Sequence, residues 1–111
     1  MNNIYEWMLE KQQPEIEVKS PRAKALIHCK NAVGKMGYTW QDVIAKNRKA
    51  KLVDMRRCIT KHLILNGWTT EAAGAAMNLH YTTIVYHKKK FNQLHEVDLY
   101  FRETWQEFQQ V

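Results

Sequence analysis

Four large apolar residues near the C-terminus, Val97, Phe101, Trp105 and Phe108, follow one another at intervals of four, four and three. A helix carries all four on one stripe, whereas a strand would turn Phe108 to the face opposite the other three. The same period returns at Leu52, Met55, Ile59 and Leu63, and Asn66-Gly67 then supplies a stop. A short strand-like stretch elsewhere would lack a strand to pair with, and an isolated strand is not stable. The 111 residues therefore read as one small all-α, multi-helix domain.

Capping residues divide the chain. Residues 3–13 read as a short helix with Ile4, Trp7 and Met8 on one side, available either to cover the core or to dock a replication or regulatory protein. "PEIEVKSP" follows as an extended linker, because a proline at each end disfavours helix just before it. Residues 1–21 are thus an N-terminal extension, and 22–111 form the domain. Ser20 is placed to cap a helix that starts at Pro21 and runs to about Met36, with Ala25, Ile27, Cys29, Ala32 and Val33 for packing and Gly37 as the stop. Thr39 caps "YTWQDVIA", with Trp40, Val43 and Ile44 turned inward. "KNRKAK" (46–51) has no large apolar side chain and reads as an exposed basic loop. The helix from about Leu52 to Asn66 leaves Arg56, Arg57 and Lys61 off its apolar stripe, and Thr69 then caps "TEAAGAAM".

"HYTTIVYHKKKF" (80–91) is the one stretch whose composition argues against helix, since Thr82-Thr83-Ile84-Val85-Tyr86 is β-branched and aromatic. Together with the segment before it, it has the layout of a helix-turn-helix unit. Ala73, Met77, Leu79, Ile84 and His87 stand where the two helices pack, and Gly74 stands where that packing leaves almost no room. Asn78 is at a short turn, "NLH", where left-handed backbone angles suit it. Ile84, Phe91 and Leu94 then face the core, and Thr82, Tyr86, Lys89 and Lys90 face outward. Threonine hydroxyls can reach phosphates or base edges, and lysines suit backbone phosphate. A plain capping role is the alternative for Thr82.

Charge follows the same segment. Residues 46–90 hold ten Lys and Arg against Asp54 and Glu71, whereas the rest of the chain is slightly acidic, so the net charge of +6 comes wholly from this block. A confined basic footprint suits a phosphate-backbone binder. Other classes find little support. No apolar run approaches the length of a membrane span, and the N-terminus lacks the layout of a secretory signal. Cys29 and Cys58 stand apart, as expected of reduced thiols in the cytoplasm. The histidines lack metal-ligand spacing, and no nucleophile arrangement or glycine-rich phosphate loop is visible, so neither enzyme activity, nor a cofactor, nor a nucleotide is expected.

The residues also resemble a narrower group, the C-terminal DNA-binding domain of the bacterial replication initiator DnaA. Its signature is close to D-H-[ST]-T-V-x-H-A-x-[RK]-[KR]-I, and "HYTTIVYHKKKF" lies in the same frame. "KNRKAKLVDMRRCI" is similar to that family's basic loop and the helix after it, and "TTEAAGAAM" to its S-L-x-E-I-G-x-x-F. "YTWQDVIA" and a last helix after "LHEVD" also fall in family order, so the likeness covers about residues 25–110. It implies a DnaA C-terminal-like, or Trp-repressor-like, domain that binds double-stranded DNA without ATP, its recognition helix in the major groove. By position, Thr82 would contact bases, Thr83 and Arg56 phosphate, and Arg48 the minor groove. His80-Tyr81 replace the family's Asp-His pair, Tyr86 replaces a later His, and the turn is one residue shorter, so a different target sequence is expected.

The set expected to touch DNA is Arg48, Lys49, Lys51, Arg56, Thr69, His80, Tyr81, Thr82, Thr83, Tyr86, Lys89 and Lys90. With no ATPase module in the sequence, the expected role is that of a detached DNA-binding domain, associated with the nucleoid. It would act in replication initiation or its regulation, or as a transcriptional regulator of a phage or mobile element.

Overall fold

The computed structural model describes residues 20–111, so the expected N-terminal helix and most of the linker after it lie outside the described residues. Ser20 Oγ accepts from the Ala23 amide and opens α1 (Pro21–Lys35), with proline at the start of the helix as its missing N–H allows. Gly37, at φ +93°, turns the chain out of it. Thr39 and Asp42 form a reciprocal capping box at the head of α2 (Trp40–Ile44). Then come α3 (Ala50–Leu65), α4 (Thr70–Met77), α5 (Tyr81–Val97) and α6 (Leu99–Gln109), and the described residues contain no strand.

Packing is organised around α3, which touches each of the other five helices. Its expected stripe of Leu52, Met55, Ile59 and Leu63 is fully buried. Because neighbours surround it, Cys58, Thr60 and Arg56 on its other faces are buried too. Phe91 of α5 meets Phe101 and Trp105 of α6 edge to face, at ring separations of 5.1 and 4.9 Å, the geometry that aromatic quadrupoles favour. Burial pushes the Cys29 and Cys58 thiols far up, so both stay protonated. At one end of the bundle His28 stacks on His62 with ring centroids 4.4 Å apart, and His28 Nε2–H donates to the Phe108 carbonyl in the last turn of α6 (2.8 Å).

Two expectations about apolar residues are corrected. Val97 does not share the stripe of Phe101, Trp105 and Phe108, for it is 78% exposed at the end of α5. The helix breaks at Asp98, whose extended backbone (φ −113°, ψ 110°) and carboxylate, accepting from the Phe101 amide, start a new helix in a new direction. Ile27 likewise faces solvent rather than the core, on the opposite side of α1 from Ala25, Cys29 and Ala32.

Candidate nucleic-acid interface

Helices α4 and α5 form the helix-turn-helix pair. Thr69 Oγ1 accepts from the Ala72 amide at the head of α4, so this hydroxyl is engaged as a cap. Asn78 ends α4 in the left-handed conformation (φ 59°, ψ 43°), and the Leu79 amide donates to the Gly74 carbonyl (2.8 Å). The approach is as close as the sequence suggests. A Cβ on Gly74 would lie 2.5 Å from the Leu79 carbonyl oxygen and 3.4 Å from Ile84 Cγ1.

The strand-like run is helical and begins α5. Ile84, His87 and Phe91 point inward, and Tyr81, Thr82, Val85, Tyr86 and Lys89 are exposed; Lys90 is half-buried. Its threonines lie in the first turn, but the cap is His80, not Thr82. His80 Nδ1 accepts from the Thr82 amide at 3.2 Å and lies 2.8 Å from its hydroxyl. An imidazole in the position of an Asx cap explains how "HYTT" can start a helix without Asp, Asn or Ser at its head. The alternative capping role for Thr82 is thereby corrected.

The basic loop is rooted by two residues whose role was not visible in the sequence. Helix α2 has a single full turn, and its last carbonyls need donors. Arg56 donates from Nε to the Val43 carbonyl (2.9 Å) and from one terminal nitrogen to those of Asp42 (3.2 Å) and Ala45 (2.9 Å). Asn78 Nδ2 donates to the remaining one, Ile44 (3.3 Å). A buried guanidinium at a helix C-terminus also complements the dipole. Arg56, expected to touch phosphate, is therefore corrected to an internal support, 6% exposed, with its proton held less tightly because of burial. Through Asn78, the same carbonyls tie α2 to the helix-turn-helix turn.

Beyond that root the chain leaves as Lys46-Asn47-Arg48-Lys49, in which Asn47 Oδ1 accepts from the Lys49 amide (3.0 Å) and shapes the entry into α3. Lys51 is not part of the loop. It lies in the first turn of α3, its ammonium donates to the Thr104 hydroxyl (3.3 Å), and it shares a cleft with Asp54, Glu103 and Glu107. Lys51 thus stands among carboxylates, apart from the groove that the loop lines.

The 46–49 loop and α5 meet at a groove of about 460 Å3. Of the expected residues it brings together Arg48, Thr83 and Tyr86, along with the buried Arg56. Lys49, Thr69, His80, Tyr81, Thr82, Lys89 and Lys90 lie outside it. Lys46, Asn47, Arg57 and His87 also line it. For Lys46 and Asn47 the loop composition was a signal, whereas nothing local marked Arg57 or His87 as neighbours of that loop. Arg57 donates to Asp54 Oδ1 (3.3 Å), and its Nε, like His87 Nδ1, has no hydrogen-bond partner among the described residues.

His87 is held neutral. Burial lowers its pKa to about 4, and the positive charges of Arg57 and Arg56 add to the shift. The folded value lies below the unfolded 6.5, so the neutral ring's stabilising contribution is fully present above about pH 6.5 and is lost as the pH falls through about 4. Burial lowers His62 in the same direction, with His28 adding to it. His87→Leu is expected to lose less stability than the parent between neutral pH and pH ~4. Equal losses in urea titrations of the two proteins would remove His87 from this account.

A scan against protein-family models, a search of curated proteins and a search of solved structures each find no match to this chain.

Proposed function

We propose that this protein binds double-stranded DNA in a sequence-specific manner, with α5 in the major groove and the 46–49 loop reaching the adjacent minor groove through Arg48. The observation that carries the proposal is the shared groove: Lys46, Asn47 and Arg48 of the basic loop line it together with Thr83 and Tyr86 from the N-terminal half of α5. The resemblance to the DnaA C-terminal domain favours a role in replication initiation or its regulation. A transcriptional regulator would use the same surface, and the sequence it selects tells the two apart. Thr82, Thr83, Tyr81 and Tyr86 face the bases and nearby phosphates, with His80 holding Thr82 in position. Lys46, Lys49, Lys88, Lys89 and Lys90 meet backbone phosphate.

Selection of bound sequences from a random duplex pool tests the proposal directly. Enrichment of one motif is expected, and a pool that stays random after several rounds would exclude sequence-specific binding. The selected duplex should bind with a log K against log salt slope of about −5, as for roughly six neutralised phosphates. A slope near zero in fluorescence anisotropy would remove the basic block from the interface. Thr82→Ala is expected to cost about 1–3 kcal/mol on the selected site and to relax preference at one position. Lys89→Ala should weaken all duplexes alike and flatten the slope by about one unit. Were both variants to lose affinity without any change in preference, α5 would not be reading bases.

A further inference from the structure

The groove between the loop and α5 has properties that a duplex surface does not require. Its volume of about 460 Å3 falls within the roughly 300–1,000 Å3 typical of small-molecule sites. Val53, Leu79 and the Tyr86 ring make part of its wall apolar, Lys46, Arg48 and Arg57 make the rest basic, and no carboxylate among the described residues lines it. Set into this wall is His87, more than nine-tenths buried, with an Nδ1 that meets no partner among the described residues. Arg57 is paired with Asp54, but Lys46 and Arg48 have no carboxylate partner among the described residues, and two such cations beside an apolar recess suit an anion joined to a flat, apolar body.

We propose that this groove is a binding site for a small phosphorylated ligand of mononucleotide size, its phosphate held by Lys46 and Arg48 and its ring by Val53, Leu79 and Tyr86. A phosphate fits better than a carboxylate. It brings close to two negative charges and three acceptor oxygens at neutral pH, enough for the Arg48 fork, the Lys46 ammonium and the Thr83 hydroxyl together. Side chains supply these donors, so a glycine-rich phosphate loop is not needed. The ligand would occupy Arg48, Thr83 and Tyr86, which the proposed DNA surface also uses, and so would compete with a duplex. Its binding does not depend on the DNA reading.

Isothermal titration of the full chain, without DNA, with adenosine 5′-monophosphate, adenosine and inorganic phosphate tests the site. The monophosphate is expected to bind one per chain, with adenosine and phosphate each weaker by about tenfold or more, the loss of one charge-assisted contact or of the apolar recess. Arg48→Glu and Lys46→Glu, on exposed loop positions, should each weaken the monophosphate by about tenfold or more with melting temperature unchanged. Absence of monophosphate binding overturns the proposal. So does binding that both variants leave intact, and so does inorganic phosphate binding as tightly as the monophosphate. A chain that binds the monophosphate but no duplex supports the ligand site and overturns the DNA reading alone. The reverse result overturns the ligand site alone.

Discussion

Arg56→Met is expected to lower stability by about 3 kcal/mol, since it keeps the aliphatic stem but leaves one buried and two part-buried carbonyls without donors and removes hydrogen bonds from a charged group. In a domain of this size that is roughly 10–20 °C in melting temperature. The carbonyls of Asp42, Val43 and Ala45 all look to this one guanidinium. Lysine should recover only part of the loss, because a single ammonium cannot reproduce the planar fork that spans three acceptors. Under the proposed DNA binding, the salt slope distinguishes this role from a phosphate contact. A variant that still folds at low temperature should keep the parent's salt slope, whereas loss of a phosphate contact would reduce it by about 0.9. A melting temperature within about 3 °C of the parent would show that the carbonyls find water instead.

Gly74→Ala is the second large effect, and here two terms oppose each other. Alanine in mid-helix is favoured over glycine by about 0.5–1 kcal/mol. Against this, the added methyl would stand 2.5 Å from the Leu79 carbonyl oxygen, a backbone atom that cannot swing aside as a side chain can. Forcing α4 and α5 apart disturbs the Leu79–Gly74 hydrogen bond and the seat of Ile84, and overpacking of this kind costs about 1–3 kcal/mol. The clash wins, and a net loss of about 1–2 kcal/mol is expected by chemical denaturation. Gly34 is the control: it is also helical, but nothing lies within 4 Å of an added Cβ, so Gly34→Ala should be neutral or slightly stabilising. If the two variants were equally stable, the close approach of α4 and α5 would not matter energetically.

The helices were legible in the sequence because their signals are short-range. Ser20, Thr39 and Thr69 cap as their hydroxyls suggest, and Asn78 takes the left-handed turn. The period of Leu52, Met55, Ile59 and Leu63 marks the buried stripe of α3. Each depends on residues within a turn or two, and local sterics and hydrogen bonding decide it. The β-branched run at 82–86 needed one wider consideration, that a lone strand has nowhere to pair.

Only the tertiary structure decided what each charged side chain does. Arg56 and Arg57 are neighbours on one helix, both off its apolar stripe, yet Arg56 serves the end of α2 while Arg57 pairs with Asp54 and lines the groove. The partner carbonyls of Arg56 lie 11 to 14 residues away in the chain, and no periodicity within α3 can anticipate them. Lys51 likewise looks like a loop cation until α3 starts at Ala50 and turns it toward Thr104. Val97 keeps the helical interval yet faces solvent, because Asp98 redirects the chain between it and Phe101. Apolar and capping patterns are written locally, since the free energy they control is local. A long cation can satisfy its donors at any surface within reach, and which surface that is depends on how distant helices come to rest.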